Sequence, residues 1–322
     1  MRVLFCLFTI SFLVASCDWS SDKPLQGQQI LEGYYITAID FDANGNAWLG
    51  TLDQGLIKYD GENQNVFSEI SGMIRAIKVD SKNQVYIGAE GLIRYDGEKF
   101  THFDSSDGPI PDGYVNAIAI DSQDRVWFSI GSFKNGGLGK LNKEVLTFYD
   151  PKNSPLPAHW VSGVVVNQQD EVWIASQTSV NDTYLSKLNA QGSWKIFLPE
   201  QIGFTPYSMT NLQIITSGEV FGGIDYSLSS TYSPSRPSLF TFDETKSKEI
   251  TAEKPFNTNF ILADRSDRIW CAGWTGYGVY KNGRWSWGEE SFKETGVFTI
   301  AEAPNGDIWL GTGNGVHVLS LP

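Results

Sequence analysis

The sequence predicts an all-β fold, a single seven-bladed β-propeller with four antiparallel strands per blade, and three observations carry that expectation. A tryptophan-centred phrase recurs: NAWLGT at 46–51 returns as DIWLGT at 307–312. Weaker copies between them place an aromatic at Trp48, Tyr86, Trp127, Trp173, Phe221, Trp270 and Trp309, in steps of 38 to 49 residues, and such a period marks a repeat architecture. Each copy also holds four short runs of β-branched and aromatic residues separated by turn residues, with no amphipathic helical stretch after residue 30. A blade cannot bury both its faces alone, so the repeats have to close into a ring.

The chain opens on MRVLFCLFTISFLVASC, with a basic Arg2, an apolar run from Val3 to Ala15 and small residues before Cys17. That is the three-part pattern of a secretory signal, and the run is shorter than the ~20 residues of a membrane span. Its end, Leu13-Val14-Ala15-Ser16-Cys17, resembles the lipobox of bacterial lipoproteins, in which the cysteine is diacylated and becomes the first mature residue. The expected organisation is a signal peptide over 1–16, a lipidated Cys17 with a polar tether over 17–27, and the propeller over 28–322. The expected location is outside the cytoplasm, on a membrane, at the periplasmic or cell-surface side. Cys6 would leave with the signal and Cys17 would carry lipid, so Cys271 remains without a disulfide partner.

Each repeat begins with a hairpin. Nine places before the aromatic stands Ile39, Ile77, Ile118, Val164, Leu212, Ile261 or Ile300, and twelve places before it Ile36, Ile74, Val115, Val161, Met209, Thr258 or Val297. The run often ends in Asp, as at Asp42, Asp80, Asp121 and Asp264, and turns such as ANGN, SKNQ and SQDR follow. Such residues tolerate the positive φ of a tight turn. A second pair of strands comes after the aromatic, as in GLIKYDG (55–61) with NVFSE and GLIRYDG (91–97) with KFTHF. The last repeat supplies three strands and stops at Pro322, so its fourth is expected from Gln28–Leu31, paired with the strand around Val316. This latch removes an open sheet edge, and a monomer is expected.

The composition, with 32 Gly, 11 Trp and 13% aromatic residues in 322, suits many tight turns over stacked sheets. A formal net charge of −13 with scattered lysines and arginines argues against nucleic acid, which needs a basic face. No phosphate loop, zinc spacing or nucleophile elbow is present, and no cofactor, metal or catalytic residue is assigned.

NGNAWLGTLDQGLIKYDG (44–61) and NQVYIGAEGLIRYDG (83–97) resemble the two-component regulator propeller repeat, found in extracytoplasmic sensor regions of bacterial hybrid kinases and in stand-alone secreted proteins. The resemblance is close in blades one, two and seven and poor in five. It implies a binding or scaffolding propeller, with carbohydrate-related ligands a recurrent theme, and no phosphorelay for these residues.

Loop lengths point to where a ligand would sit. Four antiparallel strands put the second-to-third-strand turns and the inter-blade connections on one face of the ring. On that face blades three, four and five carry the insertions, and the connections DSSDGPIPDGY, DPKNSPLPAHW and LPEQIGFTPYS are long. Extended loops over a rigid scaffold are where binding residues concentrate. The candidates are Lys134, Asn135, His159, Trp160, Asn181, Asp182, Tyr207, Tyr226, Tyr232, Arg236, Trp274 and Tyr277, aromatics flanked by amides that suit a sugar or a peptide.

Asp42 to Asn46 with Asp53 has the outline of a calcium loop, but the sixth-position Gly and the final Glu are missing, and a hairpin turn accounts for it. Trp285 and Trp287 alternate on one strand and are expected to pack between blades. The alternative function is a lyase or hydrolase resembling the streptogramin lyases, which use His and Glu with a metal near the axis. His102, His159 and His317 fall on an outer strand, an inter-blade loop and a third strand, a spread that does not favour convergence.

Overall fold

The structure, a computed structural model, describes residues 27–321 except 107, 179–181, 203–208, 225–236, 253–255, 289–291 and 293–294. The predicted signal peptide and Cys17 lie outside the described residues, as do the candidates Asn181, Tyr207, Tyr226, Tyr232 and Arg236.

Four-stranded antiparallel sheets follow one another along the chain and make the seven blades. Their inner strands are Ile36–Phe41, Ala76–Val79, Tyr114–Ile120, Trp160–Val166, Met209–Ile214, Phe260–Ala263 and Val297–Glu302. The one helix among the described residues is the single turn Pro199–Ile202. The ring closes as expected, one residue earlier: Gly27–Ile30 pairs antiparallel with Gly315–Leu319, in the register Gly27 to Leu319 and Ile30 to Val316. Side chains reinforce the closure, because Gln29 Nε2 donates to the Asn314 carbonyl at 2.8 Å and Asn314 Oδ1 accepts the Gly33 N–H at 2.9 Å.

The recurring phrase has a packing reason. Two residues beyond each aromatic stands Gly50, Gly88, Ser129, Ala175, Gly223, Ala272 or Gly311, always small, on the second strand. A Cβ at Gly50 would come 2.4 Å from Ile74 Cγ2, one at Gly88 2.5 Å from the Val115 carbonyl, and one at Gly311 2.8 Å from Ile36 Cγ2. The bare backbone therefore admits the first aliphatic residue of the next blade. Buried clusters form at every seam between neighbouring blades, for example Trp48, Ile74, Ile77 and Ile87 between one and two, and Ile36, Leu49, Ala301 and Val316 between seven and one. Cys271 lies buried between blades five and six, where Trp285 and Trp287 also pack, their rings stacked at 5.2 Å.

The turns between first and second strands form a second, polar ring. Asp42, Asp121 and Asp264 each accept backbone N–H groups two and four residues on, and the indole N–H of Trp48, Trp127 or Trp270 at 3.3, 2.9 and 2.8 Å. In four of these turns a non-glycine residue in the left-handed region reaches across the seam to cap the preceding blade. Asn83 accepts the Ala43 N–H at 2.9 Å, Asp124 the Ser81 hydroxyl at 2.8 Å, Asp170 the Ser122 N–H at 2.9 Å and Asp267 the Thr216 N–H at 2.9 Å. Glu302 does the same for the Arg265 N–H at 2.9 Å.

Candidate functional site

A channel of about 340 Å³ runs along the ring axis, walled by inner strands of all seven blades. Its waist is apolar, with Ala38, Ile77, Ile118, Val164, Leu212 and Ile300. At the end where the first-to-second-strand turns lie, the charges are matched internally: Lys78 pairs with Asp40 at 3.7 Å and Arg265 with Glu302 at 3.6 Å. Asn211 spends its amide on both backbone groups of Ile261, at 3.0 and 3.1 Å, which ties blade five to six.

On the opposite, loop-bearing side of the ring, aromatic residues stand at and beside the strand ends. On one bank Tyr114, 48% exposed, begins the inner strand of blade three, and the Arg75 guanidinium lies over its ring at 4.5 Å. Trp160 opens the inner strand of blade four and stacks on Phe133 at 4.5 Å, Phe133 being 53% exposed. The two pairs are neighbours, because Gly131 is the strand partner of Tyr114 and a Cβ on it would lie 3.7 Å from Trp160 Cζ2. On the other bank Trp274, 57% exposed, meets Phe298 edge-on at 4.9 Å, and Phe298 stacks on Tyr35 at 4.7 Å. Exposed apolar rings of this size mark a surface built for contact rather than for water.

Of the predicted residues, Lys134 and Asn135 stand exposed in the blade-three loop, where Asn135 Oδ1 accepts the Ser132 hydroxyl at 2.7 Å. His159 Nδ1 contacts the Gly136 carbonyl at 3.0 Å and so holds that loop against the start of blade four. Asp182 is exposed beside Thr178, whose hydroxyl it accepts at 3.2 Å. Trp274 joins the far bank, across blades six, seven and one.

Tyr277 is a correction. It is only 6% exposed, stacks on Trp270 at 5.8 Å and belongs to the core between blades six and seven. Its strand, Gly276–Lys281, begins two residues after Trp274, and the pleat turns Tyr277 inward. Arg75, Tyr114, Asn116, Tyr35 and Phe298 were missed. They lie at or beside the ends of inner strands, and their sequence signal is a polar or aromatic residue next to each repeat's first aliphatic position.

His102, His159 and His317 stand on the outer strand of blade two, the connection into blade four and the third strand of blade seven. Among the described residues no three His, Cys, Asp or Glu side chains are grouped to hold a metal ion. Burial lowers the His317 imidazole from its ordinary pKa and pushes the Cys271 thiol well up.

The fold is a seven-bladed β-propeller with a channel along its axis and exposed aromatic residues on its loop-bearing face. A family model described as Two component regulator propeller matches residues 291–314, in the last blade. No curated protein matches this chain in sequence. Among solved structures it is similar to a domain described as the extracellular part of the hybrid two-component system BT4673 from B. thetaiotaomicron, at 17% identity and TM-score 0.72, covering 92% of this chain and 40% of that one. The corresponding domain of BT3049 from the same organism gives 15% identity and TM-score 0.72, over 93% and 42% of the two chains. A streptogramin B lyase gives 15% identity and TM-score 0.70, over 92% and 97%. The chain thus spans about two-fifths of the length of the two sensor domains. No helix among the described residues is long and apolar enough to cross a membrane.

Proposed function

We propose that this protein is an exported, lipid-anchored binding propeller that holds a carbohydrate at the loop-bearing mouth of its channel. The observation that carries the reading is the pair of aromatic groups on the loop-bearing face, Tyr114 with Phe133–Trp160 and Trp274 with Phe298–Tyr35, with Asn116 and Arg75 on the channel wall. Sugar rings present apolar C–H faces to such rings and hydroxyls to amides, and polar groups placed among aromatics are how ligand sites fix orientation. The similarity of fold to extracellular sensor domains supports a binding role outside the cytoplasm.

A glycan-binding screen on residues 18–322 tests this, followed by titration of the Trp160→Ala and Trp274→Ala variants. Loss of at least tenfold in affinity in either variant, about 1.4 kcal/mol, is expected. Unchanged binding in both would remove the mouth from consideration, and a screen that returns peptides and no glycans would replace the ligand class. The anchor is tested separately by fatty-acid labelling in cells, which Cys17→Ser should abolish. A lyase of the streptogramin type is not adopted, since the histidines stand on three separate elements.

A further inference from the structure

We infer that the channel mouth is built for a ligand carrying a negative charge and that Arg75 receives it; the inference rests on the binding reading above and names its ligand class, an acidic saccharide bearing a carboxylate. Arg75 precedes the inner strand of blade two and lines the channel wall, half-buried, its backbone N–H fixed on the Gly88 carbonyl at 2.7 Å. Its guanidinium plane rests on the Tyr114 ring, and its Nε is buried with no acceptor. Among the described residues no carboxylate comes within ion-pair distance of it. Arg94, Arg125, Arg265 and Arg268, by contrast, pair with Glu144, Asp121, Glu302 and Asp264.

The other charges on the channel wall are also accounted for, Asp40 by Lys78 and the Val79 N–H, and Arg265 by Glu302. Among the described residues Arg75 is therefore the one cation on the channel wall without an ion-pair partner, in a chain of formal net charge −13. A guanidinium stacked on a ring keeps its planar fork of N–H donors pre-oriented, and that fork matches a carboxylate in two parallel hydrogen bonds. The neighbouring Tyr114, Phe133 and Trp160 rings and the Asn116 amide take the rest of a sugar, so charge and apolar ring are read on one bank.

The test is titration calorimetry of the mature chain with a panel of hexuronate-containing oligosaccharides and their carboxyl-reduced, neutral counterparts. At least one acidic oligosaccharide is expected to bind tenfold or more tighter than its reduced form and to weaken severalfold between 50 and 300 mM salt. Arg75→Gln should erase the discrimination, bringing the acidic sugar's affinity down to that of its reduced form, and Arg75→Lys should restore part of it; matched thermal midpoints show that both variants fold. Equal affinity for acidic and reduced forms would overturn the inference. So would a neutral glycan whose binding is lost in Trp160→Ala and kept in Arg75→Gln, and that result would leave the binding reading standing. Failure of every saccharide to bind overturns both.

Discussion

Asp124 holds a left-handed backbone, φ 57, in the turn of blade three, and its carboxylate takes the Ser81 hydroxyl and the Lys82 ammonium of blade two at 2.8 and 2.9 Å. Lys82 and Ser81 hold its carboxyl below the ordinary range, and the N–H and hydroxyl of Ser122 do the same for Asp170. Because both folded pKa values are depressed, the stability they confer is present above the ordinary carboxylate value of about 4 and is lost as pH falls through the folded values. Thermal midpoints should therefore drop below about pH 4, and less steeply in Asp124→Asn, which keeps an acceptor as Asn83 does. Asp124→Ala should cost about 1–2 kcal/mol, and Asp124→Gly less, since glycine keeps the backbone unstrained. The opposite sign holds at high pH. Burial pushes the Tyr86 hydroxyl up to about 12, with Asp80 adding to it, and raises the Cys271 thiol. Stability is present below the unfolded values of about 9–10 and is lost as pH climbs above them, and Cys271 should resist a thiol reagent until the protein unfolds. At this scale the sequence was a partial guide: the turn aspartates read as hairpin formers, but their reach across a seam depends on a neighbour some 40 residues away. Tyr277 was misplaced because its side of the pleat is not visible from composition.

The strands were the most legible element, since a period anchored on an aromatic shows where each begins and ends. The small residue two places on is the same signal seen from the neighbouring blade. Gly88→Ala should cost about 2–3 kcal/mol by overpacking against Val115, as measured by denaturant midpoint. Ala175, already an alanine, should tolerate Ala175→Gly with a smaller loss. The latch was legible from the missing fourth strand of the last repeat. Its loss, tested by deleting residues 27–30, should expose the edge of Gly315–Leu319 and lower the thermal midpoint together with a rise in light scattering. Trp160 and Trp274 were legible as candidates, but Arg75, Tyr114 and Phe298 were not, because they lie far apart in sequence and come to the same face only when the ring closes. Loop length led instead to the insertions of blades three to five, and the blade-three insertion does place Phe133 on the rim.

Across the whole ring the seam caps are complete except at one place. Blade one has Gly45 at the capping position, and the residue of blade seven equivalent to the capped ones is Pro304, which has no N–H to satisfy. Between blades four and five the capping position is Gly218, which has no side chain to offer, the Gln168 N–H meets no acceptor among the described residues, and a cleft of about 700 Å³ opens beside Gly218, Glu171, Glu244 and Lys246. Lys187 bridges Glu171 and Glu244 at 3.1 and 2.6 Å across this seam in place of the cap. Amide hydrogen exchange should therefore be faster over 167–171 and 215–219 than over 80–84 and 121–125, a ranking that equal protection would contradict.

The register of the closing strand has a directional consequence. Gly27 lies opposite Leu319, so the two ends of the described chain leave the ring side by side, at the end of the channel where Asp40 pairs with Lys78 and away from the aromatic banks. Whatever precedes Gly27 therefore joins the ring from the side of the Asp40–Lys78 pair, and a tether there leaves the Arg75 side of the channel unhindered.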